Sequence, residues 1–239
     1  MLVSLHIPKT GGTTFTEILR ANFRKVLAVS GPQGLRDFLQ MSPAERASYP
    51  AAAGHMPFGI DRFLAVPCEY IVFLREPVDH TISSYYYVLR TPGNPQHERA
   101  STMSLREYAE SDLWPISDNL QTRWLADFDW AEVLSPDGGT TPPPPRALEE
   151  HLRQAKANLD RCAFVGLFDH FEDCVRRCCD RFGLRCTTIP CLNATPGRPA
   201  VTEVDPEVRA VIRQRRRLDV ELYEYAVRRS AVSASGRGR

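Results

Sequence analysis

The beginning of the chain joins an apolar run, residues 2–7, to a short loop that could bind an anion. The loop reads Pro8-Lys9-Thr10-Gly11-Gly12-Thr13-Thr14. If a helix starts at its end, the first helical amides lack intrahelical partners and the helix dipole adds positive potential. The two glycines would let a phosphate approach the backbone, the lysine would supply charge and the three threonines hydroxyl donors. The alternative is an ordinary turn between a strand and a helix.

The position of the lysine separates this loop from the common nucleotide-binding P-loop. In that motif the lysine follows the second glycine and directly precedes the serine or threonine that binds magnesium. Here Lys9 precedes both Gly11 and Gly12. We therefore expect a phosphate cradle without a magnesium site.

Two further strand ends carry side chains with useful chemistry. His55 follows the apolar run 51–54, and neutral imidazole is the usual general base near neutral pH. Arg75 follows the apolar run 69–74, and Ser83 lies about two turns into the helix that Pro77 should open. Arginine can form bidentate hydrogen bonds to a phosphate, so Arg75 and Ser83 could bind the same anion. The alternatives are a packed histidine and an arginine held in a structural ion pair.

Two basic features of the C-terminal half are ambiguous. Arg198 lies in a polar loop and is either an anion contact or a solvated charge. Residues 209–217 form a basic run, which is either a solvated helix face or a surface that binds an acidic acceptor.

Short apolar strands alternate with segments of helical spacing, which predicts an α/β fold. We expect a P-loop-like three-layer α/β/α arrangement around a central, mainly parallel sheet. The spacing predicts helices over residues 15–23, 35–40, 104–111, 116–126, 146–159, 171–182 and 218–227, and an exposed loop over 91–102. At 239 residues the chain fits one domain. We assign that domain to residues 1–229, with a surface insertion at 130–146 that contains four consecutive prolines, and a disordered tail at 230–239.

Composition argues against several classes of protein. The chain has 30 basic and 29 acidic side chains, a net charge of +1, so nothing global points to nucleic acid. No apolar run approaches the roughly twenty residues of a membrane span, and no charged leader precedes the first strand. We expect a soluble, cytoplasmic protein; the sequence is silent on its oligomeric state.

The seven cysteines include a group of five between residues 174 and 191 without Cys-x-x-Cys pairs. That spacing speaks against zinc and favours buried thiols in a reducing compartment, with a disulfide between Cys186 and Cys191 left open.

Taken together, the separated motifs resemble the PAPS-dependent sulfotransferases, in the branch that contains the heparan sulfate and uronyl O-sulfotransferases and bacterial relatives. PAPS is 3′-phosphoadenosine 5′-phosphosulfate, and PAP is the product left after sulfuryl transfer. The resemblance is carried by residues 6–15, 54–59 and 74–87, with weaker echoes at 119–123, 165–168 and 193–199.

The resemblance implies roles for individual residues. The 5′-phosphosulfate would bind the loop Pro8, Lys9, Thr10, Gly11, Gly12, Thr13 and Thr14, and the 3′-phosphate would bind Arg75 and Ser83. Arg198 would belong to the segment that closes over the nucleotide, and His55 would be the general base, with Lys9 as the second catalytic residue. The implied reaction is sulfation of an acceptor hydroxyl, most simply that of a saccharide or another small molecule, without a metal. The rival hypotheses are a magnesium- and ATP-dependent phosphotransferase and a non-catalytic module that binds PAP or a glycan.

Overall fold

A five-stranded parallel sheet forms the centre of the molecule. The computed structural model describes residues 1–29, 31–111, 113, 118–127, 149–190 and 197–235. The strands are β1 (Leu2–Leu5), β2 (Val26–Val29), β3 (Ala51–Gly54), β4 (Glu69–Leu74) and β5 (Phe164–Leu167), in the spatial order β2-β3-β1-β4-β5. Every described pairing is parallel, which confirms the predicted α/β class.

Helices connect the strands and cover both faces of the sheet. In chain order they are α1 (Gly12–Asn22), α2 (Gly31–Gln40), α3 (Pro43–Ala47), α4 (Pro77–Leu89), α5 (His97–Ser101), α6 (Leu105–Glu110), α7 (Leu120–Leu125), α8 (Glu149–Arg161), α9 (Phe171–Phe182), α10 (Pro206–Arg215) and α11 (Arg217–Ser235). Short 3₁₀ turns lie at Ile60–Phe63, Phe168–His170 and Val201–Glu203.

The two faces of the sheet bury two separate clusters, because successive strand residues point to opposite sides. On β4, Val72 and Leu74 join a core with α2, α7, α8 and α11, whereas Ile71 and Phe73 join a core with α1 and α9. Such strands are apolar on both faces and read as continuous apolar runs. The three-layer arrangement expected from the sequence is therefore confirmed.

Several predicted boundaries differ from the structure. The predicted exposed loop 91–102 contains α5, whose Ala100 is fully buried beside Tyr85 and Tyr108. The helix predicted over 116–126 begins only at Leu120, because Asn119 has a left-handed backbone; residues 116 and 117 lie outside the described part. Helix α11 continues to Ser235, into the segment predicted to be a disordered tail.

The parallel register brings three strand ends to one edge of the sheet. Leu5 of β1 lies opposite Gly54 of β3, so His6 and His55 leave the sheet side by side. Gly54 is needed here, because its φ is 147° and a Cβ would lie 1.8 Å from the carbonyl oxygen of Val29. Arg75 leaves the neighbouring β4 at the same edge. Parallel sheets bind ligands at such carboxyl ends.

No helix within the described ranges is long and apolar enough to cross a membrane. The predicted insertion at 130–146 lies outside those ranges.

Candidate active site

A cavity of about 560 Å³ opens at this edge of the sheet. That volume lies within the range of small-molecule sites. All the predicted site residues line it except Thr10 and Arg198; those lining it are Pro8, Lys9, Gly11, Gly12, Thr13, Thr14, His55, Arg75 and Ser83. The wall also contains residues that the sequence did not single out: His6, Gly31, Tyr87, Asn94, Pro95, Gln96, Trp124 and Phe168.

The N-terminus of α1 forms the floor of one end of the cavity. Gly11 precedes the helix with φ 88°, a left-handed conformation that suits glycine, and no side chain caps the helix. The first turn contains no acidic residue, so nothing offsets the positive end of the dipole. A Cβ on Gly11 would lie 2.4 Å from the ring of Phe171. Both the left-handed backbone of Gly11 and its packing against Phe171 therefore fix the conformation of this turn, whose free helical amides could bind an anion.

Lys9 is held in an unusual environment. Its φ is 67°, a left-handed value rare outside glycine, and its Nζ lies 4.2 Å from the centre of the Tyr87 ring. Burial lowers the pKa of Lys9 to about 8, and the nearby positive charges of Arg90, Arg75 and Arg198 act in the same direction. An anionic ligand would relieve this concentration of positive charge.

Arg75 and Arg198 are linked by a carboxylate that the sequence analysis missed. Nε of Arg75 donates to Asp79 at 2.6 Å, and Arg198 donates to the other oxygen of the same carboxylate. Burial alone would raise the pKa of Asp79, but the hydrogen bonds and charges of the two arginines outweigh it and lower that pKa. Arg75 and Asp79 are four residues apart across the start of α4, a spacing that is a readable signal for an ion pair.

The structural ion pair and the ligand contact, which were alternatives for Arg75, are compatible. Nη1 of Arg75 donates to the carbonyl oxygen of Lys9 at 2.9 Å, and the guanidinium lies 4.1 Å from the centre of the Phe168 ring. No described residue hydrogen-bonds its Nη2. The guanidinium is thus fixed at the cavity wall with one donor group left for a ligand.

His55 has a defined tautomer. Its Nδ1 lies 2.9 Å from the carbonyl oxygen of His6, and because a carbonyl can only accept, Nδ1 carries the proton. Nε2 therefore holds the lone pair. Burial lowers the pKa of His55, although the hydrogen bond to His6 acts in the opposite direction. The imidazole is neutral at pH 7 and can accept a proton.

A second histidine packs directly against His55. The rings of His6 and His55 are stacked with 4.3 Å between their centres. The Trp124 ring meets the His55 ring edge-on, with 6.2 Å between their centres. A Cβ on Gly12 would lie 2.0 Å from Cδ2 of His6. His6 lies within the motif at residues 6–15, but the sequence alone gives it no role, because a sequence does not show that its ring packs over the start of α1.

The threonine hydroxyls are used differently from one another. Thr10 is almost fully buried, and its hydroxyl donates to the carbonyl oxygen of Ile7 at 2.9 Å, which closes the turn. Thr14 donates to the carbonyl oxygen of Pro190 at 3.0 Å. Thr13, the residue before Thr14, lines the cavity. The role of Thr10 in this structure is thus to shape the loop.

The basic run at 209–217 is mostly engaged within the chain. Arg213 pairs with Glu76 and Glu224, and Arg217 pairs with Glu149. Arg215 and Arg216 donate to carbonyl oxygens at the end of α6. Arg213 and Glu76 also border a smaller hollow of about 310 Å³, where they neutralise each other. The structure therefore gives little support to the hypothesis that this run binds an acidic acceptor.

The cysteines in the described part are free thiols: Cys68, Cys162, Cys174, Cys178, Cys179 and Cys186. Cys191, the other member of the disulfide that the sequence left open, lies outside the described residues. Among the described residues no group of three or more histidine, cysteine or acidic side chains could hold a metal ion.

The chain is similar to human heparan-sulfate 6-O-sulfotransferase 1, with 26% identity over 274 aligned residues. The similarity is to a sulfotransferase. It covers 95% of this chain but 64% of the relative, so the chain spans less than two thirds of that protein. No family model matches the sequence.

Proposed function

We propose that the protein transfers the sulfuryl group of PAPS to a hydroxyl of an acceptor, most simply a saccharide. The observation that carries the proposal is the meeting of the Lys9 loop, Arg75 and a neutral His55 in one cavity. The distant similarity to a human sulfotransferase is independent support for the same reaction class.

The cavity fits a donor with anionic groups at both ends of its ribose. Lys9 and the uncapped start of α1 suit the 5′-phosphosulfate, because both offer positive potential and the glycines leave the backbone accessible. Arg75 and Ser83 suit the 3′-phosphate, since both line the cavity and the Nη2 group of Arg75 has no hydrogen-bond partner among the described residues. Arg198 reaches the same region through Asp79.

In the proposed reaction His55 Nε2 takes the proton of the acceptor hydroxyl, whose oxygen forms a new bond to sulfur. The bond between sulfur and the bridging phosphate oxygen breaks, and its electron pair stays on the phosphate of PAP. Protonated Lys9 stabilises the charge that develops on that oxygen. Positioning and fixed positive groups are the main sources of catalysis in such transfers.

A saccharide acceptor is favoured by two features. The human relative is a heparan-sulfate sulfotransferase. The cavity wall also combines the aromatic rings of Tyr87 and Trp124 with the amide side chain of Asn94, a mixture of apolar surface and a few polar groups that suits a polyhydroxy ligand.

Calorimetry with PAP and ATP, each with and without EDTA, tests the donor. We expect PAP to bind more tightly than ATP, with no effect of EDTA. Magnesium-dependent binding of ATP in preference to PAP would contradict the proposal and favour a phosphotransferase. A chain that binds PAP but moves no sulfate to any acceptor would be a binding module.

A further inference from the structure

His6 lies between the two halves of the candidate site. Its ring is stacked on His55, 4.3 Å between centres, and it lines the cavity. A Cβ built on Gly12 would lie 2.0 Å from Cδ2 and 2.6 Å from Nε2 of His6. The Cδ2–Nε2 edge of the imidazole therefore covers the first residue of α1. One ring touches both the anion-binding end and the base.

The imidazole of His6 is neutral. Burial lowers the pKa of His6 to about 3, and the nearby His55 and Lys9 act in the same direction. The positive end of the α1 dipole also disfavours a protonated ring at this place. A neutral imidazole carries one N–H donor, and no described residue hydrogen-bonds either ring nitrogen of His6.

Neutrality matters because of what surrounds the ring. A positive charge stacked on His55 would oppose protonation of that imidazole and weaken it as a base. A neutral donor avoids this cost, yet it can still stabilise negative charge on an oxygen near the start of α1. Neutral histidine is used as such a donor where a helix N-terminus lowers its pKa.

We propose that His6 is a second catalytic histidine, which adopts the tautomer with its proton on Nε2 and donates a hydrogen bond from that nitrogen to a non-bridging oxygen of the sulfuryl group during transfer. This inference rests on the proposed sulfotransferase function. The donor is aimed by two packing contacts: the face of the ring lies on His55 and its edge lies on Gly12. In the proposed arrangement the sulfuryl group is bound close to Lys9, His6 and His55, which line the same cavity.

The test compares His6→Phe, which keeps the stacked ring but removes the donor, with His6→Gln, which removes the ring but keeps an amide donor. We expect His6→Phe to lower kcat about 100-fold, the loss typical of one missing transition-state donor. The kcat of His6→Gln should be at least roughly tenfold higher than that of His6→Phe. Because His6→Phe still buries His55, the acid limb of its pH–rate profile should match that of the wild type.

Binding measurements separate this inference from the proposed function. His6→Phe should weaken the binding of PAPS, which carries the sulfuryl group, and leave the binding of PAP unchanged. A wild-type chain that binds neither nucleotide would overturn the proposed function itself. Wild-type turnover in His6→Phe, equal losses in both variants, or equal weakening of PAP and PAPS would each show that the ring only packs, and would overturn the role of His6.

Discussion

The protonation of Lys9 should limit donor binding at mildly alkaline pH. An ordinary lysine keeps its charge to about pH 10, but burial and three nearby arginines lower the pKa of Lys9 to about 8. Donor phosphates are fully ionised above about pH 7.5, since their second pKa is about 6. A loss of affinity at higher pH therefore reports the protein and not the ligand.

The size of the effect follows from that pKa. At pH 9 only about one tenth of the free protein would carry a protonated Lys9. If binding needs the charge, kcat/KM should be about tenfold below its plateau at pH 9, because kcat/KM reports ionisations of the free enzyme. Bound donor supplies negative charge and raises the pKa of Lys9, so the alkaline limb of kcat should lie at higher pH than that of kcat/KM.

The assay is calorimetric titration with PAP between about pH 7 and pH 10, with initial rates at limiting PAPS as a second readout. Lys9→Arg is the matched control, because arginine keeps its charge throughout this range. Its affinity for PAP should be independent of pH even if its absolute affinity differs. Unchanged wild-type affinity up to pH 10 would refute the reasoning, as would an alkaline loss in Lys9→Arg with the same midpoint.

Three further predictions concern the base, the loop and the arginine network. His55→Asn should keep PAP affinity and lower sulfate transfer by at least about 100-fold, because the proton acceptor is gone. Equal rates of sulfate transfer by the wild type and by His55→Asn would show that His55 is not the base. Gly11→Ala should weaken PAP binding at least roughly tenfold, since the new Cβ would lie 2.4 Å from the Phe171 ring. Gly183→Ala is the control: Gly183 is also left-handed, but its Cβ would meet open space, and PAP binding should not change. Similar losses of PAP affinity in both variants would show that backbone strain alone matters. Asp79→Asn should lower the free energy of unfolding by about 2 kcal/mol, because the buried charge of Arg75 loses its partner. The pKa of Asp79 is lowered from 3.8, so its stabilisation is complete above that pH and is lost at lower pH. Chemical denaturation should therefore show the two proteins converging in acid, and a constant difference down to pH 2 would contradict this account.

The parts of the fold that the sequence predicted best are those with strong apolar patterns. Helix α9 was predicted with its observed ends, and β4 follows the apolar run 69–74, since both bury continuous or periodic apolar residues. Helix α5 was missed, because a short, charged segment carries no periodicity. Its one buried residue, Ala100, packs against Tyr85 and Tyr108, which lie on the neighbouring helices α4 and α6. Tertiary packing decides such segments.

The candidate site was predictable in part for a similar reason. Glycines, a lysine and strand-end residues are visible in a sequence, and the parallel register then brings His55 and Arg75 to one edge. The position of the His6 ring over Gly12 and the sharing of Asp79 by two arginines depend on side-chain directions in three dimensions. Arg198 reaches Asp79 from a point 119 residues away, which no local pattern encodes.

The measurement that tests the central claim most directly is transfer of labelled sulfate from PAPS to a panel of saccharides, with EDTA present. The account predicts a labelled sulfate ester with the wild-type chain and none with His55→Asn, although both bind PAP. Wild-type protein that binds PAP and labels no hydroxyl of the panel would contradict it.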